Sequence, residues 1–178
     1  MEKYRGFSLL ELMVALAIAA ILIAVGGPAL RETTLDARRT AALNGLLRAV
    51  HAARAEALRS GREVVLCARS PGSAGCGGDG ADWAAGWLLF VNEDGDRPAT
   101  VDAGEPVLLE EGPQAGSSIL GNRSAFRFPP FNRRSTNGTL VYCDDRGPVS
   151  ARALIVSFTG RPRLSGEGPD GRTVDCRG

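Results

Sequence analysis

The hydrophobic pattern changes twice along the chain. From Phe7 to Val25 the only charged side chain is Glu11. A bilayer core is crossed by about 20 apolar residues in a helix, so this run predicts a membrane-spanning helix. Past Gly26, Gly27 and Pro28, Leu43, Leu46, Leu47, Val50, Ala53 and Ala57 recur at three- and four-residue spacing. That spacing draws one apolar stripe down a helix, and Arg39, Arg48 and Arg59 fall largely off it. Proline lacks a backbone donor and tends to kink a helix. The reading is nevertheless one long helix from Phe7 to about Arg59, stopped by Ser60-Gly61. Its first half is apolar all round, and its second half lays the stripe on a sheet.

After Gly61 the pattern turns to short β-type runs. These are Glu63–Ala68, Gly86–Val91, Pro106–Glu110, Ser118–Leu120, Ala125–Phe128, Thr139–Cys143 and Leu154–Phe158, with a weaker run near Arg163 or Val174. Gly, Pro, Asn and Asp punctuate them, as in antiparallel sheets. The predicted fold class is α+β, a long N-terminal helix packed on antiparallel β-sheets. At 178 residues there is room for one globular domain beyond the apolar helix. We divide the chain into residues 1–6, an apolar helix over 7–30 and a globular domain over 31–178.

The formal net charge of +1 excludes a strongly basic or acidic molecule, but the signs are segregated. Between Asp79 and Glu111, Arg97 is the only cation, set against Asp82, Glu93, Asp94, Asp96, Asp102, Glu105 and Glu110. From Asn122 onward arginine dominates: Arg123, Arg127, Arg133, Arg134, Arg146, Arg152, Arg161, Arg163, Arg172 and Arg177. Such asymmetry predicts a polarised surface. Lys3 is the only lysine, which composition bias explains; bias does not explain the segregation.

Four cysteines beyond a membrane anchor point to an oxidising compartment and two disulfides, with three connectivities open. We favour Cys67 with Cys76, closing a Gly-rich loop, and Cys143 with Cys176, tying the tail to a strand. No C-x-x-C is present and His51 is the only histidine, so no zinc site is expected. His51 reads as a partly exposed helix residue. The loop Asn92–Glu105 is rich in acids, the ligand type calcium takes. It lacks the EF-hand spacing, and a solvated hairpin turn is the expectation. With no nucleophile–base pair and no metal cluster, the chain is not read as an enzyme, and no cofactor is implied.

Glu11 is the odd residue of the apolar run. Carboxylates inside membrane helices usually have a partner. Cleavage between Gly6 and Phe7 would create a free amine on Phe7, and a neighbouring copy's amine would then suit Glu11. Lys3 and Arg5 flank the run, which keeps that end cytoplasmic and puts the globular domain on the far side of the membrane.

The stretch RGFSLLELMVALAIAAILIAVGGPAL resembles the class III signal of type IV pilins and pseudopilins. That resemblance implies cleavage after Gly6 by a prepilin peptidase, methylation of Phe7, and a role for Glu11 in guiding assembly with other pilin subunits. Pro28 matches a proline common in the family. The segment Cys67 to Cys76, then Trp83 and GWLLFVNEDGD, resembles the FimT/GspH group of minor pilins and pseudopilins. The matching residues are Gly86, Trp87, Phe90, Asn92, Asp94, Gly95, Gly104 and Glu105. Ser135–Gly147 is similar to the FimT branch. The resemblance implies a type IV pilin-like fold, with Trp87 and Phe90 read as core.

The tail carries the candidate chemistry. Gly160 permits a tight turn, and Arg161 and Arg163 flank Pro162. In an extended segment residues two apart share a face, so the two guanidinium groups form a fork suited to phosphates. Gly160–Arg163 reads GRPR and resembles the G-R-x-R motif of FimT-like minor pilins implicated in DNA uptake. The resemblance implies Gly160 as the turn and Arg161 and Arg163 as phosphate ligands; local charge alone adds Arg133, Arg134, Arg172 and Arg177. No base-reading motif accompanies them, so binding would be sequence-independent. The expectation is therefore a minor pilin that starts in the inner membrane with its domain in the periplasm, enters a pilus, and binds DNA in natural transformation. The alternative is a GspH-like minor pseudopilin of a type II secretion system, or a priming subunit without DNA binding.

Overall fold

The computed structural model describes residues 8–70, 75–78, 80–131 and 134–176. One helix, α1 (Leu9–Ser60), opens the chain. Ser8 caps it: the Glu11 amide donates to Ser8 Oγ at 3.2 Å and the Leu12 amide to the Ser8 carbonyl at 3.2 Å. Ser8 and Glu11 thus stand as N-cap and third helical residue of an S-x-x-E start, where a carboxylate also suits the positive helix end. Pro28 lies inside α1 and the helix runs on through it. Gly61 ends it in the left-handed region (φ 69°), its amide bonded to the Ala57 carbonyl at 3.1 Å.

The chain divides into two compact units, residues 1–40 and 41–178. In the first, the large apolar side chains from Leu9 to Leu30 are all exposed. This stretch is long and apolar enough to cross a membrane.

The second unit begins with the last turns of α1 and holds two four-stranded antiparallel sheets. The strands are β1 (Glu63–Ala68), β2 (Trp87–Asn92), β3 (Val107–Glu111), β4 (Ser117–Gly121), β5 (Ala125–Phe128), β6 (Gly138–Asp144), β7 (Arg152–Val156) and β8 (Pro162–Ser165). The orders are β3-β2-β1-β5 and β4-β6-β7-β8. The stripe Leu43, Leu46, Val50, Ala53 and Ala57 is buried against both sheets, with Ala42 and Ala49 beside it. Sheet one contributes Val64, Leu66, Trp87, Leu89, Phe126 and Phe128; sheet two contributes Ile119, Leu140, Tyr142, Leu154 and Val156. Trp87 reaches so close to α1 that a Cβ on Gly45 would stand 3.0 Å from its ring.

Alternate residues of both sheets face the other way and are also covered. On sheet one, Val65, Cys67, Leu88 and Phe90 pack with Ala99, Val101 and Cys76. On sheet two, Cys143, Ala153 and Ile155 pack with Val174 and Cys176. The disulfides Cys67–Cys76 and Cys143–Cys176, the favoured pairs, each tie a covering segment to the outer face of its sheet. The acidic loop is therefore more than a solvated hairpin turn. It folds back and buries Ala99 to 5% exposure, because a strand with apolar residues on both faces needs a lid on each.

The seventh strand ends two residues earlier than expected, at Val156 rather than Phe158. Gly160 sets the reason: its amide bonds back to the Ser157 carbonyl at 2.8 Å, so the turn begins at Ser157. The weak last run resolves as β8, while Val174 belongs to the covering tail.

Candidate functional site

The β7–β8 turn has only three residues outside its closing pair. The Ser157 amide donates to the Arg161 carbonyl at 3.1 Å, and the Arg161 amide donates back to Ser157 Oγ at 3.2 Å. Phe158, Thr159 and Gly160 lie between them, with Gly160 at φ 70°. A three-residue hairpin loop usually ends on such a left-handed residue. From there Val156 pairs with Pro162 and Ile155 with Arg163. Proline is tolerated because it is the first residue of β8, an edge strand.

The turn is held from behind. The Ser135 amide donates to the Phe158 carbonyl at 2.9 Å. Gly160 is buried, and a Cβ there would stand 2.9 Å from Ser135 Oγ and 3.0 Å from Arg54 Cδ. Glycine is required at this position by its backbone angle, and any larger residue would also have to displace the Ser135 and Arg54 side chains. The Arg134 guanidinium carbon lies 5.8 Å from the centre of the Phe158 ring, within cation–π range. Phe158 is 54% exposed.

Arg161 and Arg163 are both exposed. Arg161 closes the turn, and Arg163 is the second residue of β8, on the sheet face of its partner Ile155. The expected fork therefore straddles the junction of turn and strand. Among the described residues, no acidic side chain forms an ion pair with Arg54, Arg134, Arg161 or Arg163. Arg172 is different: it pairs with Asp170 at 3.5 Å in the tail. Gly6, Phe7, Arg133 and Arg177 lie outside the described residues. Glu11 is exposed in the first turn of α1.

Several cations of the basic half are structural. Arg127 binds Glu63 at 2.9 Å, and Arg146 binds Asp144 at 2.7 Å. Arg134 and Arg54 stand beside the turn that carries Arg161. Two neighbours were not singled out from the sequence. Arg54 sits within the apolar stripe, four residues after Val50 and three before Ala57, and a charge at a stripe position was the available signal. Phe158 extends the apolar run of β7 and so reads as strand.

The acidic loop brings Asp94, Asp96 and Asp102 together, with carboxylate oxygens within 4.8 Å of one another. Asp96 Oδ2 accepts from the Thr100 amide at 2.9 Å and hydroxyl at 2.8 Å. Desolvation pushes the Asp102 carboxyl above its usual range, with the charges of Asp94, Asp96 and Glu105 adding to it. Exposed acidic groups of this kind are common without an ion.

The family described as Type II transport protein GspH matches residues 42–160. The Prokaryotic N-terminal methylation motif matches residues 1–27. A search of the curated proteins finds no match. Two crystal structures of the type IV minor pilin FimU from Pseudomonas aeruginosa share the fold. One is 18% identical, with a TM-score of 0.51 over 77% of this chain and 98% of that chain. The other is 20% identical, with a TM-score of 0.51 over 77% and 93%. The family match stops at Gly160, before Arg161, Arg163 and the disulfide-bound tail. The match covers the second unit up to that turn, and the chain belongs to the GspH family and carries an N-terminal methylation motif.

Proposed function

We propose that this chain is a minor pilin of the FimT type that binds DNA through the β7–β8 turn during natural transformation. It is made as a prepilin in the inner membrane with its C-terminal domain in the periplasm. Prepilin peptidase cuts after Gly6, Phe7 is methylated, and the subunit joins a pilus with other pilins, guided by Glu11. Arg161 and Arg163 contact phosphates, Gly160 shapes the turn, and Arg134 adds a neighbouring cation; Arg133, Arg172 and Arg177 are outer contacts.

The observation that carries this reading is a set of exposed arginines, Arg134, Arg161 and Arg163, with no acidic partner among the described residues, at a turn that needs a glycine. Arginine keeps its charge at any physiological pH and offers paired planar donors to phosphate. A carboxylate beside each guanidinium would have cancelled that field. Phosphate contacts position a protein without reading sequence, so binding is sequence-independent. Each contact releases counterions and makes affinity strongly salt-dependent. Several copies in a filament add avidity.

The test is retardation of duplex DNA at low salt by the full chain in detergent. Arg161→Ala with Arg163→Ala should abolish the shift while leaving thermal unfolding unchanged. Equal binding by the double variant would remove the turn from the account.

A second reading is favoured by the family description itself, which names type II transport. A minor pseudopilin of that apparatus, or a priming subunit, would share the anchor and fold and would not need the turn. Deletion of the gene would then lower protein secretion and leave DNA uptake intact.

A further inference from the structure

Turns are normally built from Gly, Pro, Asn, Asp and Ser. This one places a phenylalanine at its first free position, 54% exposed, where it contributes to no core cluster. The backbone beneath the ring is fixed, since the Phe158 carbonyl accepts from the Ser135 amide at 2.9 Å, and the Arg134 guanidinium carbon stands 5.8 Å from the ring centre. Arg161 closes the same turn and Arg54 lies against Gly160. An exposed aromatic ring beside arginines that have no acidic partner among the described residues is poorly used by duplex DNA, whose base faces are already stacked. It suits an unpaired strand, where phosphates meet cations and a base stacks on an aromatic side chain.

Resting on the DNA-binding reading above, we propose that the site prefers single-stranded DNA, with Phe158 as the stacking platform for one unpaired base and Arg134, Arg161 and Arg163 on the flanking phosphates. Stacking tolerates every base, since each has a π-face, so the preference is for strandedness and not for sequence. Arg134 holds the ring in place through the cation–π contact. It thus acts on the base through Phe158 and on the strand through charge.

The test compares anisotropy titrations of the full chain in detergent with an oligonucleotide of mixed composition and about 20 nucleotides, long enough to span a single-strand site, single-stranded and as its duplex. The wild type is expected to bind the single strand more tightly. Phe158→Ala should weaken single-strand binding about tenfold and leave duplex binding unchanged. Phe158→Leu, which keeps the apolar contact but has no π-face, should behave like alanine, and Phe158→Trp should restore the preference. Arg161→Ala with Arg163→Ala should lose both strands. If wild type binds both forms equally and Phe158→Ala changes neither, the stacking role is overturned while the phosphate reading stands. If wild type binds neither form, both fall. Unchanged single-strand affinity in Phe158→Ala, together with loss of its incorporation into pili, would reassign the ring to a subunit contact and overturn the proposal.

Discussion

The Ser135 amide donates to the Phe158 carbonyl at 2.9 Å, joining the segment after β5 to the turn between β7 and β8. With Gly160 buried against Ser135 Oγ and Arg54, three separated stretches of sequence fix the backbone that presents Arg161. The chemistry on offer is simple positive charge. What the fold adds is a rigid mount for it.

Gly160→Ala tests that mount. Alanine would have to occupy φ 70° and push aside Ser135 and Arg54. A residue forced into a sparsely populated backbone region costs about 1–3 kcal/mol. Urea unfolding should register a loss of that order, with weaker DNA binding. A neutral change would mean that the turn relaxes freely.

The tail is held over sheet two by Cys143–Cys176, a link across 33 residues of sequence. A loop of that size stabilises by about 3–4 kcal/mol through loss of unfolded-state entropy. Replacing both cysteines with serine should lower the urea midpoint accordingly. It should also expose residues 166–175 to limited proteolysis, as Val174 leaves the outer face. Resistance of the tail in that variant would show that Val174 packing alone suffices.

The Asp102 carboxyl is held above its usual range. Its folded-state pKa therefore exceeds the unfolded one, so its negative charge opposes folding once the pH is above both values. The penalty disappears on protonation, below about pH 3. Asp102→Asn should raise the melting temperature at about pH 7 and give no gain near pH 3. An equal gain at both pH values would place the effect outside its titration.

The anchor makes its own prediction. Glu11 is exposed in the first turn of α1, after a serine cap. Glu11→Val should leave membrane insertion intact, since one more apolar residue favours it, and should block incorporation into filaments. Immunoblots of membrane and sheared-pilus fractions distinguish the two. Normal incorporation would remove the amine pairing.

Much of this architecture was legible because its signals are periodic. The stripe from Leu43 to Ala57 marked the packed face of α1, and the runs at Glu63–Ala68 and Ala125–Phe128 matched β1 and β5 end to end. Spacing and loop chemistry also pointed to the right cysteine pairs. What resisted reading was coverage. Nothing in an acidic loop announces that Ala99 and Val101 will close the outer face of sheet one, because that contact depends on how the chain returns. Phe158 misled for a related reason: it extends the apolar run of β7, and only the turn bond from Gly160 to Ser157 removes it from the strand. Arg54 was hidden by its neighbours, a charge in an apolar stripe whose purpose emerges only when Gly160 arrives beside it.

The salt dependence of duplex binding tests the central claim most directly. A plot of log affinity against log salt falls with a slope of about −0.9 per phosphate contacted. The wild-type chain should give a steep line. Arg161→Ala with Arg163→Ala should flatten it by about two contacts' worth, while the folded state melts as before. An unchanged slope in the double variant, or no binding by the wild type even in dilute buffer, would contradict the assignment of these two arginines to DNA.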